Sequence, residues 1–183
     1  MEQTPAFQAL VNLANRSRDS ALGLPAREKT RQEWSGIGFR LLNQNFVVPM
    51  GQTSELLEVP NYTRLPNVKS WVRGVANVRG RLLPLYDLAV FLGHRLHNPQ
   101  KLQRVLVLEA NDLYCGLLVD QSFGIQHFLS EAYQMENSLG DADVEPFLLG
   151  NFKSDSTIWH VFSMVNLMES PQFMSAARTQ MAG

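Results

Sequence analysis

The spacing of hydrophobic residues along this chain shifts from a helical period to a strand period. Behind Thr4-Pro5, residues Phe7, Leu10, Val11 and Ala14 recur at i, i+3, i+4 and i+7, which predicts an amphipathic helix with proline at its first position. Residues 17–33 are polar and charged, interrupted by Gly23 and Pro25, and read as a solvated linker or a frayed second helix. Residues 1–34 are therefore assigned to an N-terminal helix and linker. From Ser35 onward, short apolar runs alternate with turn residues, the pattern of strands. Ile37–Leu42, the turn Asn43-Gln44-Asn45 and Phe46–Met50 predict a hairpin, and a third run, Leu56–Val59, stops at Pro60-Asn61. Val105–Leu108, the turn Ala110-Asn111-Asp112 and Leu113–Val119 predict another hairpin. Residues 172–183 offer little to pack and are expected to form a mobile tail.

The densest signal is Trp71–Gly93. Val72, Val75 and Val78 lead into Arg79-Gly80-Arg81, a turn in which glycine can supply positive φ. The next run, Leu82–Tyr86, carries Pro84, which has no amide for a ladder and must sit at an edge or a bulge. Asp87 has the place of an N-cap, Leu88–Leu92 of a short helix and Gly93 of its C′ residue. The same order returns further on. Trp71 and Phe147 each stand three residues before a glycine, Gly74 and Gly150, and Asp87 and Ser163 each stand 13 after it. Leu82, Leu85, Tyr86 and Leu92 match Ile158, Val161, Phe162 and Met168 at the same 76-residue offset. This register predicts an internal duplication. Short strands and tight turns in each half predict a mainly β fold of two small, closed or nearly closed barrels, since closure hides strand edges.

Composition narrows the function. The 45% hydrophobic and 18% charged content is ordinary for a globular domain. A net charge of −1 argues against nucleic-acid or membrane binding driven by the charge of the whole chain. The single cysteine, Cys115, cannot form an internal disulfide, which suits a reducing compartment. No run approaches the ~20 apolar residues of a membrane span, and the start MEQTPAF lacks a basic leader region. A cytoplasmic location without membrane insertion is expected. His94 and His97 share an i, i+3 spacing but have no adjoining carboxylate or cysteine, and His160 lies in an apolar strand. Cys115 has no basic neighbour to activate it, and neither Ser35 nor Ser70 stands in a nucleophile elbow. No catalytic residue, metal site or cofactor is expected.

Charge is nevertheless segregated. Arg64, Lys69, Arg73, Arg79 and Arg81 occupy Val59–Tyr86 without an acid, and Glu131, Glu136, Asp141, Asp143 and Glu145 occupy Glu131–Glu145 without Lys or Arg. These are either solvated loops of opposite sign or docking surfaces for different partners. Strand edges near Pro49 and Pro84 would suit docking. A nucleic-acid-binding small barrel using the Arg64–Arg81 strip is the alternative. Such a site needs exposed aromatics for stacking; only Trp71 lies in the strip, and its match to Phe147 argues for core.

The segment Arg64-Leu65-Pro66, then WVRGVANVRG over 71–80, then Pro84, Asp87 and Leu88, resembles the CheW family of chemotaxis adaptors. Ser54-Glu55-Leu56 and Gly116-Leu117-Leu118-Val119-Asp120 extend the resemblance, which covers about Ser35 to Glu169. The wording ANVRGRLLP with Trp71 is most similar to adaptors of the type IV pilus systems that govern twitching motility. Two departures stand out: Ser163 replaces the family's Asp or Asn, and residues 1–34 have no family counterpart. The resemblance implies two five-stranded, SH3-like barrels, with residues 35–171 as the domain. It implies a non-catalytic scaffold linking the tip of a methyl-accepting chemoreceptor to a CheA-type histidine kinase. Glu55, Leu56, Gly74, Arg79 and Gly80 would form the receptor-binding groove, and Val59, Tyr62 and Thr63 the kinase-binding face.

Overall fold

The computed structural model describes residues 33–110, 113–136, 139–154 and 156–175. Of the helix and linker expected over residues 1–34, residues 1–32 lie outside the described residues, as do residues 176–183 of the expected tail. Six strands and a helical turn come first: β1 (Glu33–Leu41), β2 (Gln44–Pro49), β3 (Glu55–Glu58), β4 (Tyr62–Thr63), β5 (Val72–Val78), β6 (Arg81–Asp87) and α1 (Leu88–Phe91). The second half repeats the series: β7 (Arg104–Ala110), β8 (Leu113–Val119), β9 (Gln121–Leu129), β10 (Tyr133–Gln134), β11 (Leu148–Ser154), β12 (Thr157–Phe162) and α2 (Met164–Glu169). The strand pattern expected from Ser35 starts two residues earlier. β1 begins at Glu33, and the Trp34 ring packs on Phe128 and Phe152.

The halves do not fold separately. One curled sheet has the order β10-β11-β12-β2-β1-β9 and the other β3-β7-β8-β6-β5-β4. Each half thus gives its first hairpin to the other half's sheet: β1–β2 joins through a parallel β2–β12 pairing and β7–β8 through a parallel β6–β8 pairing. Each sheet has five longer strands, as expected, and one of two residues, β4 or β10. β6 is interior, yet its pairing with β8 begins only at Leu85. Pro84 therefore lies in a stretch paired on one side only, which is how the sheet accommodates it.

Three cores follow from this exchange. Ala76, Leu83, Leu85, Val105, Val107 and Leu118 fill the β3–β8 barrel. Val47, Phe128, Phe152 and Val161 fill the other. The largest core lies between them, where Phe39, Phe46, Tyr86, Leu106, Leu117 and Phe162 meet the helical turns through Leu88, Phe91 and Leu167. Strands β2, β6, β7, β8 and β12 feed both kinds of core by alternating their side chains, whereas β5 and β11 do so through a bulge. In β5 the register shifts between Val72 and Gly74, and in β11 between Leu148 and Gly150. One inserted residue flips the strand's faces, so Val72 and Leu148 enter the shared core while Ala76 and Phe152 enter the barrels. Glycine is required at both bulges: φ is +145° at Gly74 and +152° at Gly150, and a Cβ would collide with the carbonyl of Thr63 or Gln134.

The mobile tail expected from Gln172 is contradicted over its first four residues, Gln172–Ser175. Residues 171–175 form a helical turn whose Phe173 is fully buried, stacked on Trp71 and edge-on to Tyr86 and Phe91. Among the described residues no helix is long and apolar enough to cross a membrane.

Candidate docking site

The β5–β6 hairpin turns through two residues, Arg79 (φ +53°) and Gly80 (φ +82°), between the partners Val78 and Arg81. Positive φ at both positions is the type I′ geometry that matches strand twist. Asn77 Oδ1 accepts the Gly80 amide at 2.9 Å and steadies the turn. Arginine is an unusual occupant of the left-handed region. Its side chain makes a contact that glycine could not: Nη2 donates to Glu55 Oε1 at 2.5 Å, tying the turn to β3 at the far edge of the sheet.

A second pair stands beside it. Arg81 Nη1 donates to Glu109 Oε1 at 2.8 Å, and its guanidinium lies 3.8 Å above the centre of the Tyr114 ring. The arginines project further than their acids, with side chains 78% and 56% exposed against 27% for Glu55 and 46% for Glu109. Exposed ion pairs of this kind add little to stability, ~0–1 kcal/mol. Their value lies in what the charges can meet.

The expected groove residues divide. Glu55, Arg79 and Gly80 come together. Leu56, one residue along a strand of period two, points to the opposite face; it pairs with Leu106 of the shared core and stays partly exposed. Gly74 is not at this corner at all. It lies against Thr63 and Arg64 at the other end of β5, where its role is to let β4 approach. Of the expected kinase face, Val59 and Tyr62 are turned partly into the β3–β8 barrel core, and Thr63 is exposed.

Sequence reasoning missed three features here. Glu109 and Tyr114 face each other in the β7–β8 hairpin, and only the exchange of that hairpin brings them to Arg81, 28 residues before Glu109. Ile125, 54% exposed on edge strand β9, pairs with Ile37, which packs on the shared core. A cavity of about 270 Å³ opens among Trp34, Pro49, Tyr133, Leu149, Phe152 and Val161.

The candidates for chemistry resolve into structural roles. His94 Nε2 lies 2.8 Å from Asp141 Oδ2, and the His97 amide donates to Asp120 Oδ1 at 2.5 Å. Each histidine therefore has a carboxylate that sequence proximity did not reveal, but a different one. Among the described residues no three ligating groups cluster as a metal site would need. Burial pushes the Cys115 thiol up to about 12 and lowers the pKa of His160, which suits neither to attack or proton transfer near neutrality. The basic strip is largely neutralised: Arg73 pairs with the buried N-cap Asp87, Arg79 with Glu55 and Arg81 with Glu109. Trp71, at 4% exposure, offers no stacking face. The nucleic-acid alternative loses the exposed aromatic that a stacking site requires.

Comparison with known proteins agrees with this geometry. The family model of the CheW-like domain matches residues 35–172. The chain is 47% identical to the protein PilI of Pseudomonas aeruginosa over 175 residues, covering 96% of this chain and 97% of that one. It is 27% identical to the chemotaxis protein CheW of Helicobacter pylori over 137 residues, 75% of this chain and 76% of the relative. The crystal structure of the scaffolding protein CheW from Thermoanaerobacter tengcongensis superposes with a TM-score of 0.65 at 19% identity, covering 77% of this chain and 96% of that one. At that identity the likeness concerns the fold.

Proposed function

This chain belongs to the CheW-like family, and we propose that it is the non-catalytic adaptor of a pilus-type chemosensory system. In this reading it works in the cytoplasm, in a pathway governing twitching motility. It couples the tip of a methyl-accepting chemoreceptor to a CheA-type histidine kinase. The near full-length similarity to PilI favours the pilus assignment over a flagellar one.

One observation carries the docking role. Arg79 occupies a backbone conformation that glycine or asparagine would adopt more readily, yet it keeps a guanidinium 78% exposed at a turn fixed by Asn77 and Glu55. Strain retained at an exposed charged residue points to recognition. The receptor tip docks at this corner and along the adjoining Leu56 edge. The kinase docks at Val59, Tyr62 and Thr63, beside the pairing of β4 with Val75 and Ala76 in the middle of β5.

The test is a three-component reconstitution with the full chain, a purified chemoreceptor signalling hairpin and a CheA-type kinase. The kinase should co-sediment with receptor only when the chain is present. Arg79→Glu should lose the receptor but keep the kinase, with stability lowered by about 1 kcal/mol as an exposed ion pair gives way to a like-charge contact with Glu55. Wild-type bridging by that variant would remove Arg79 from the interface, and no bridging by the natural chain would overturn the adaptor role.

A further inference from the structure

Arg81 is out of place by the logic of its strand. Leu83 and Leu85 point into the β3–β8 barrel, and a period of two puts the side chain at 81 on the same side. An apolar residue there would simply extend the core beside Val78 and Tyr114, which pack on it. The chain instead carries a guanidinium and holds it in two ways, with Tyr114 beneath the plane and Glu109 at Nη1. Glu109 engages one end of the fork, leaving the remaining donors for a second acceptor.

We propose that Arg81, laid flat on Tyr114 and fixed by Glu109, is a second guanidinium of the docking corner, presented with Arg79 to a partner segment bearing paired carboxylates. The inference rests on the adaptor reading above and adds the partner's chemistry to it. Arg79 and Arg81 flank one glycine of a type I′ turn, so their spacing is set by the backbone. Both project beyond the carboxylates that hold them. An exposed pair exchanges easily because water screens it, whereas the same guanidinium meeting a carboxylate under an interface interacts at lower effective dielectric and with a planar fork that matches it. A basic partner would meet two projecting arginines first and be repelled. Glu55 and Glu109 keep the arginines extended while the corner is free, so little ordering remains to be done on binding.

The test is calorimetric titration of the full chain with a purified chemoreceptor signalling hairpin at 50 and 300 mM NaCl. The charge-exchanged variant Arg81→Glu/Glu109→Arg preserves an ion pair and, losing the Tyr114 stack, should melt within roughly 4 °C of the natural chain, yet bind the hairpin at least about tenfold more weakly at low salt. Its binding should also depend less on salt. Arg81→Gln, which removes the charge without reversing any other, should weaken binding in the same direction, and Arg81→Lys should fall between, keeping charge but losing the stacked fork. If both the exchanged and Gln variants bind within about twofold of the natural chain while Arg79→Glu loses the hairpin, Arg81 merely closes the barrel end and the inference falls alone. If the natural chain does not bind the hairpin, the adaptor reading falls and takes this inference with it.

Discussion

The β5–β6 and β11–β12 turns occupy equivalent places in the two halves, and they have diverged in chemistry while the backbone around them has not. Both strands that enter these turns carry the same bulge on a glycine of positive φ. Both strands that leave end at a residue capping a short helix: Asp87 accepts from the Val90 amide and Ser163 from the Asn166 amide. The first turn, however, is Arg79-Gly80, and the residues at the same 76-residue offset in the sequence are Asp155 and Ser156. The caps differ for a related reason. Asp87 is fully buried and its charge is met by Arg73; at the same offset the second half has Leu149, which lines the cavity. A carboxylate at position 163 would be buried with no such partner, at a cost of several kcal/mol. An uncharged serine caps equally well. Serine at 163 thus stands where the offset position, Leu149, supplies no cation. Residues that dictate backbone path are shared by the halves, and residues that dictate charge are not.

The largest expected effect breaks both halves alike. Gly74→Ala and Gly150→Ala each force a Cβ against a backbone carbonyl at positive φ, and each should destabilise by roughly 2–4 kcal/mol. Urea unfolding of the two variants reads the comparison directly. Near-equal losses support equivalent bulges; a tolerated alanine at either site would show that the halves share a pattern but not a constraint.

A middle-sized effect separates them. His160 is buried with Nδ1 lacking a hydrogen-bond partner, and burial lowers its pKa. Its counterpart in the first half is Pro84, which cannot titrate. The folded state therefore binds a proton at position 160 less readily than the unfolded chain does. The stability this contributes is present above the unfolded value near 6.5 and is lost as pH falls through it toward the lowered folded value. Unfolding free energy should decline across that window in the natural chain more than in His160→Leu, with the difference vanishing above neutrality. Parallel curves for the two proteins would mean that His160 takes up its proton without penalty.

Much of this architecture is legible in sequence because it is local. The Arg79-Gly80 turn, the Asp87 and Ser163 caps, the two hairpins and the duplicated glycines are each set by residues within a few positions of one another. The exchange of hairpins is not legible, because the β2–β12 and β6–β8 pairings join segments whose local periodicity says nothing about their neighbours. The candidate site shows the same division. Arg79 was identifiable from its turn, but Glu55 and Leu56 point to opposite faces of one strand. Tyr114 and Glu109 reach Arg81 only across the exchanged hairpin. Phe173 was hidden for another reason: a lone aromatic in a polar terminal segment has no period at all, and only the Trp71–Tyr86–Phe91 socket explains it.

The smallest expected effect on stability is the most telling about Arg79. Holding a non-glycine residue in the left-handed region costs ~1–2 kcal/mol, and asparagine relieves part of that because its short side chain tolerates the conformation. Arg79→Asn also loses the ion pair to Glu55, which at 78% exposure of the arginine offsets the relief by under about 1 kcal/mol. The two terms nearly cancel, so the thermal midpoint should stay within roughly 3 °C of the natural chain. Receptor capture should nevertheless be lost, since Asn cannot present a forked cation. A variant as stable as the natural protein but unable to couple would mean that the strained arginine is kept for recognition alone. A large drop in midpoint would instead make the Glu55 tie a structural clasp across the sheet, and the contrast between the two turns would then be one of stability.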